Sequence, residues 1–268
     1  MSVRMTSTNR WSMQRFIPLT EIELTALFSE GRTLMSSLLL EPVVQFTLLA
    51  AGLQGLIGGG DNFYNGHSYL AFVLPGLMVL QALKGFSRTM YRTVLDRQWG
   101  MLTIKRLSGA GGAGYALSKI VAPIAALFVQ ILVLIVLTFA MGVRIGFGQL
   151  AGGIILAIIS VAFWAALAIT VTSFVRDYVV RDMVVSWMML PLSLAAPVFY
   201  KLETAPTYLQ WIARFNPLAW QVEAVRTVML DGRFTSSMLV MMLFAVLAIV
   251  AAIVSVSHGD AISSEGGR

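Results

Sequence analysis

The stretch 84-KGFSRTMYRTVLDRQWGMLTIKRLSGAGGAGYALSK-119 lies between two long apolar runs. It carries Lys84, Arg88, Arg92, Arg97, Lys105, Arg106 and Lys119, seven of the nineteen basic residues of the chain. Charged residues are only 12% of the composition. Their concentration between hydrophobic segments is therefore the strongest cytoplasmic marker in the sequence under the positive-inside rule. Within this loop, Asp96 to Leu107 (DRQWGMLTIKRL) mixes charge with Leu95, Trp99 and Leu102 at helical spacing. That pattern predicts a short amphipathic helix that docks on a partner.

The 268 residues are 57% hydrophobic, with a mean hydropathy of +0.80. That balance predicts an all-α polytopic membrane protein and leaves little material for a soluble domain. The chain has no cysteine and only two isolated histidines, His67 and His258, so neither disulfides nor a metal cluster is expected. The sequence pI near 9.9 comes from cations that flank apolar runs rather than covering one soluble face. Membrane topology accounts for them better than nucleic-acid binding does.

Six apolar segments approach the ~20 residues needed to cross a bilayer. They lie at about 34–57, 69–87, 120–141, 150–175, 183–200 and 236–256. Gly58, Gly59, Gly60, Asp61 and Asn62 close the first, and Pro75 and Gly76 are expected to interrupt the second. Residues 1–33 offer no continuous apolar h-region of a signal peptide. They read instead as a cytoplasmic segment with a helix lying on the membrane. Thr20 and Glu23 form a capping-box pattern with Leu19 and Leu24 as its staple, and Leu24, Leu27 and Phe28 form an apolar stripe, with Glu21, Glu23 and Glu30 elsewhere on the surface. Six crossings put both ends on one side. Fourteen Lys and Arg fall in the amino-terminal segment, the opening loop, the Arg176–Arg181 turn and the tail (257–268), against five on the other side. Both termini are therefore expected to be cytoplasmic.

Several local patterns suggest chemistry that their context does not support. Glu41, Gln45, Gln54, Gln81 and Gln130 lie at or near membrane depth, where ionisable groups are functional candidates by default. Glu41 is close to the cytoplasmic end of its span, which favours an interfacial structural role. Gly55 and Gly59 have the spacing of a close helix contact. Gly109, Gly111 and Gly114 satisfy GxGxxG but lack the preceding strand that a dinucleotide site requires. The sequence contains no GxxxxGK[ST] loop for ATP, no HExxH and no GxSxG.

The long outer loop, Lys201 to Arg233, predicts two short helices. Pro206 suits the first turn of one. Asn216 and Pro217 read as the N-cap and first residue of the other, and Gly232 as its stop. Leu218, Val222, Val225 and Met229 share one face of the second helix. Gln221, Glu223 and Arg226 add polar groups, with Arg226 expected to pair with Glu223 or a helix C-terminus. Tyr208, Trp211 and Trp220 favour the membrane interface. Helices this short and polar are expected to form a re-entrant or interfacial hairpin packed on protein.

The order of these elements resembles the permease subunits of type-2 ABC exporters across nearly the whole chain. The residues that carry the resemblance are DRQWG and KRL in the first cytoplasmic loop, then APVFY (196–200), Pro206 and FNPLAWQVEAVR (215–226) before the last span. Arg97, Gly100, Lys105, Arg106 and Leu107 fit the family's loop pattern, whereas glycine and alanine stand where a Thr-Pro step usually follows.

The resemblance implies a half-transporter in the cytoplasmic (plasma) membrane of a prokaryote. It implies an amino-terminal connecting helix and a coupling helix carrying Arg97, Trp99, Gly100, Met101, Leu102, Lys105, Arg106 and Leu107. It also implies a re-entrant outer gate at Asn216, Pro217, Trp220, Glu223 and Arg226. Two permeases pair, read here as a homodimer, above two copies of an ABC ATPase subunit. The permease has no cofactor of its own, and ATP and Mg are held by the partner. Short outer loops favour a hydrophobic small molecule, drug or lipid, with the drug-resistance branch leading. Export of a glycan or lipid-linked polysaccharide is the first alternative. An ion-coupled carrier would need ionisable groups near the midplane in repeated halves, and a membrane enzyme would need convergent catalytic groups; the sequence offers neither beyond Glu41.

Overall fold

A computed structural model describes residues 13–29, 31–57, 63–105, 111–175 and 177–258, and among them every regular element is a helix, without strands. The expected turn at Gly58–Asn62, the pair Arg106 and Leu107, Gly109, Arg176 and most of the carboxy tail lie outside the described residues. The elements in order begin with α1 (Met13–Ser29) and α2 (Gly31–Val44), then a π-helical stretch (Gln45–Ala51) and α3 (Gly52–Ile57). There follow α4 (Tyr69–Gln98), α5 (Met101–Lys105), α6 (Gly111–Ala140), α7 (Phe147–Thr172) and α8 (Tyr178–Ala195). A 3₁₀ turn (Leu202–Thr204), α9 (Thr207–Phe215), α10 (Pro217–Arg226), a second π stretch (Thr227–Asp231) and α11 (Ser236–His258) complete the chain.

Six helices are long and apolar enough to cross a membrane: Leu38–Gly55, α4, α6, α7, α8 and Ser236–Ser257 of α11. They coincide with the six expected segments, but their ends differ for physical reasons. Helices α4 and α6 each contain 30 residues, about 45 Å at 1.5 Å per residue, against a ~30 Å hydrocarbon core. Each overshoots its expected segment on the side that bears α5, because the charged and polar residues there are paired inside the protein and so remain helical. Pro75 and Gly76 do not interrupt α4. The helix runs through them, and Gly76 instead admits the segment after α8: a Cβ on Gly76 would stand 2.8 Å from Val198 Cγ1 and 3.0 Å from its Cα. Helix α8 begins at Tyr178 because the Asp177 carboxylate caps it, accepting from the Val180 amide at 2.8 Å. It ends at Ala195, one residue before extended Ala196, which precedes Pro197.

Helix α4 is the central element, buried along most of its length and packed on α6, α7 and α10. Helix α7 in turn packs on α11 and α6. Helix α4 approaches α7 closely at Gly85, where a Cβ would stand 2.6 Å from Val161 Cγ2. Phe86, Phe163 and Trp164 pack edge to face beside it. Gly55, expected to mark a close helix contact with Gly59, faces open space, while Gly59 is outside the described residues. The first span and α8 are the most exposed of the six. Leu40, Leu48, Met183, Trp187, Leu190 and Leu194 point away from the protein, as suits contact with lipid or a second subunit.

Helix α1 differs from its expected form. It starts at Met13 and runs through Pro18, so Thr20 is interior and cannot act as an N-cap. Its hydroxyl donates to the Ile17 carbonyl at 2.7 Å instead. The inward stripe is Leu19, Glu23 and Leu27 at i, i+4, i+8, with Leu24 half-buried and Phe28 exposed. Leu27 packs with Leu38, Ala122 and Ala126, which docks α1 on α6.

Candidate functional site

The inward stripe of α1 carries a carboxylate, Glu23, that is only 3% exposed. A buried charge persists only when it is paired, and Glu23 is paired several times. Lys105 Nζ of α5 donates to it at 2.9 Å, Lys119 of α6 stands 2.8 Å away, and Arg92 of α4 lies at 3.9 Å. Asp96 of α4 shares both lysines, at 3.0 Å from Lys105 and 2.7 Å from Lys119. Asp96 also accepts from the Tyr115 hydroxyl at 2.9 Å. Five charges thus join four helices at the end of the bundle that bears α5. Burial would lower the Lys105 ammonium, but Glu23 and Asp96 outweigh it and hold Lys105 above its usual 10.5. Glu23, read from sequence as a surface residue, is therefore the centre of this cluster.

The same cluster changes the part assigned to Lys105. It was expected to be part of the coupling helix that docks on a partner, yet its head is enclosed by two carboxylates of its own chain. The expected single helix from Asp96 to Leu107 is also divided. Helix α4 ends at Gln98 and Trp99 is its C-cap, its amide donating to Leu95 and Arg97 carbonyls. Gly100 then turns the chain at φ +70°, a left-handed conformation that glycine adopts without a Cβ penalty. Beyond it, α5 presents Met101 and Ile104 outward beside Trp99, which is 73% exposed, while Leu102 turns inward to the core. Arg97 is half-buried. The outward apolar group is thus Trp99, Met101 and Ile104, with Ile104 replacing Leu102.

At membrane depth, Glu41 of the first span forms an ion pair with Lys84 and lies 3.8 Å from Arg88, which donates to Gln130 at 3.4 Å. One helical turn outward, Gln81 donates to Gln45 at 3.0 Å. These pairs border a groove of about 490 Å³ between the first span, α4 and α8. Gln45, Lys84 and Ser186 form part of its lining, and Leu49, Met189 and Leu194 supply apolar walls. Gln45 opens the π-helical stretch, a local widening of the helix often found where a groove is lined.

At the opposite end of α4, Asn216 caps α10 as its sequence predicts, accepting from the Leu218 amide at 2.9 Å with Pro217 at the first position. Its amide also donates to Leu192 O of α8 at 2.9 Å. Pro206 is the residue before α9 rather than inside its first turn, and Gly232 ends the second π stretch at φ +65°. Leu218, Val222, Val225 and Met229 are all buried. Gln221 is buried beside them and accepts from Ser160 and, at 2.8 Å, from Trp164 Nε1. Trp220 packs on Phe244 of α11.

Arg226 is buried, but Glu223 is exposed and is not its partner. The guanidinium donates through Nη2 to Pro197 O at 2.6 Å and Val198 O at 3.5 Å, and through Nε to Phe72 O at 3.2 Å. It also lies 3.8 Å from the Phe72 ring centroid. Burial lowers it to about 10, which still leaves it charged at neutral pH. Tyr69 completes the arrangement by donating to Phe199 O at 3.1 Å. Carbonyls of the irregular segment after α8 are thus satisfied by Arg226 and Tyr69, the condition under which non-helical backbone survives near a membrane.

Sequence reasoning located the α10 cap but expected one helix through Trp99 where the chain turns, and it missed Glu23, Asp96, Lys119 and Tyr115. Asp96 offered a signal as the lone acid among seven cations. Its link to Glu23 through Lys105 and Lys119 has no local pattern. The described residues contain no group of three or more His, Cys, Asp or Glu able to hold a metal ion.

No curated protein matches the sequence. The family model of the ABC-2 type transporter matches residues 24–230, which run from α1 to the end of the outer hairpin and make up well over half of the chain. With six candidate spans in the order described, the chain belongs to the ABC-2 type transporter family, as a membrane permease subunit.

Proposed function

We propose that this chain is the membrane half of an ATP-driven exporter. It docks on a separate ABC ATPase through the turn around Trp99 and pairs with a second copy of itself. The observation that carries this reading is the combination at α5. Trp99, Met101 and Ile104 are outward, while Lys105 at the same element's end is tied to α1 and α4 through Glu23 and Asp96. An aromatic and methionine patch of this kind is typical of an interface core, and a rigidly backed patch passes displacement inward. ATP and Mg then belong to the partner, since this chain lacks a phosphate-binding loop. The largely apolar groove beside Gln45 and Lys84 supports a hydrophobic or amphiphilic cargo, a drug or lipid, with a second permease closing its open side. Its ion pair leaves Glu41 balanced by Lys84, which weakens an ion-coupled mechanism.

The test is Trp99→Ala. Truncating an anchor of this size should weaken association with the ATPase by about 2 kcal/mol, roughly 30-fold, while membrane insertion is unchanged. Co-purification and nucleotide-dependent export measure it, and parental assembly and transport would remove Trp99 from the interface. The same reading places both termini and the Lys84–Lys119 loop in the cytoplasm of a prokaryotic cell. Reporter fusions after Arg97 and Arg268 should therefore give cytoplasmic signals, and outward signals at both would reverse the topology.

A further inference from the structure

A cavity of about 280 Å³ lies between α1, α4, α6 and α8, apart from the groove and the outer hairpin. Four cations line it: Arg88 and Arg92 from α4, Lys119 from α6 and Arg181 from α8. Asp182 is the one carboxylate in its wall. Leu27, Ala122 and Pro123 supply an apolar side. Three of the cations already have acidic neighbours on the elements around them. Lys119 contacts Glu23 and Asp96, Arg92 lies 3.9 Å from Glu23, and Arg88 lies 3.8 Å from Glu41.

Arg181 is different. Its Nε and Nη2 both turn to the neighbouring Asp182, and its guanidinium stacks on Tyr91 at 4.8 Å and Tyr178 at 5.5 Å. Its Nη1 is buried with no hydrogen-bond partner among the described residues. A buried guanidinium donor left open beside a net-positive cavity is a vacancy for an acceptor with negative charge.

The depth of the cavity identifies the kind of acceptor. Arg88 and Arg92 come 19 and 23 residues after Tyr69, the outer end of α4, which is about 29 and 35 Å along a helix. A hydrocarbon core is ~30 Å thick, so these residues reach the cytoplasmic headgroup layer. Arg181, in the first turn of α8, lines the cavity at that level. We infer that this cavity binds the phosphate of an anionic lipid headgroup from the cytoplasmic leaflet, with Arg181 as its principal donor and Arg88 and Arg92 as supporting charge. Phosphate suits an arginine fork, whereas a zwitterionic headgroup would bring an ammonium into a basic wall.

The test uses the purified full-length chain in nanodiscs and reads lipid retention by native mass spectrometry and thermal unfolding, with neither transport nor an ATPase needed. Phosphatidylglycerol should be retained and should raise the unfolding temperature, whereas phosphatidylcholine should do so at least about tenfold less effectively, because its phosphate arrives with a choline ammonium that the cations of the wall repel. Arg181→Gln should abolish that preference. Ser87→Leu, which narrows the cavity without removing a cation, should weaken retention and serves if Arg181→Gln proves unstable. Arg214→Gln, on the outer hairpin, should retain the parental preference. Equal retention of both lipids, or a preference untouched by Arg181→Gln and Ser87→Leu, overturns the inference. If glycerol phosphate added without lipid protects the chain as well as phosphatidylglycerol does, the lipid source is overturned and the cavity is a site for soluble phosphate esters.

Discussion

Glu23→Ala should lower the unfolding free energy of the permease by about 3–5 kcal/mol, the usual consequence of removing one partner from a buried ion cluster. The variant leaves Asp96 as the acidic partner of Lys105 and Lys119, both largely enclosed by protein, and removes the carboxylate 3.9 Å from Arg92. Glu23→Gln keeps the shape and removes the charge, so it should recover only a small part of the loss. Glu21→Ala, two residues earlier and exposed, should stay within about 0.5 kcal/mol of the parent. Thermal unfolding of the purified chain measures all three. A parental midpoint for Glu23→Ala would mean that the cluster is solvated and holds nothing together. Lys105 is held above its usual value, so its stabilising contribution is complete below 10.5 and is lost only as pH rises through the higher folded value. Between about pH 6 and pH 9 that contribution should therefore be flat.

Arg226→Ala should cost about 3 kcal/mol and impair export while insertion is preserved. The estimate combines hydrogen bonds from a charged donor to the Phe72 and Pro197 carbonyls with a desolvated cation–π contact to Phe72. Arg226→Lys keeps the charge, but a single ammonium cannot reproduce a planar fork directed at two separate backbone segments, so it should rescue little. Glu223→Ala is the control, because Glu223 is exposed and makes no ion pair with Arg226. Unfolding and export measured together separate the outcomes: parental values of both for Arg226→Ala would reduce the hairpin to a surface cap.

The spans were legible because the bilayer requires long apolar runs, and a 20-residue signal survives errors at its ends. The α10 cap was legible for a similar reason, since Asn216 and Pro217 act on their own next few residues. What the sequence concealed was pairing at a distance. Glu23 looked solvent-facing because its partners Lys105 and Lys119 lie far along the chain, and charge next to apolar residues normally signals a surface. Arg226 had Glu223 one turn away, yet the helix turns Glu223 outward and the guanidinium finds backbone carbonyls freed by the end of α8. Lys105 was read as part of a docking helix for the same reason: a single sequence shows where charges are, not which of them cancel. The break at Gly100 was visible as a residue type but not as a φ angle, so one helix was expected where two form.

Helix α4 supplies Phe72 and Tyr69 to the arrangement around Arg226, and Arg92 and Asp96 to the one around Glu23. The two pins stand 24 residues apart, about 36 Å along a single axis. A rod fixed at both ends needs no chain of side-chain relays to carry a message. Torque applied below Asp96 arrives above as tilt or axial rotation of the same body, with any bending concentrated near Pro75, where the helical hydrogen-bond ladder lacks a donor. The two ends should then behave as one mechanical element, so freeing the upper pin with Arg226→Ala should alter basal hydrolysis by the assembled ATPase some 40 Å away. Unchanged hydrolysis in that complex would show that the rod slips.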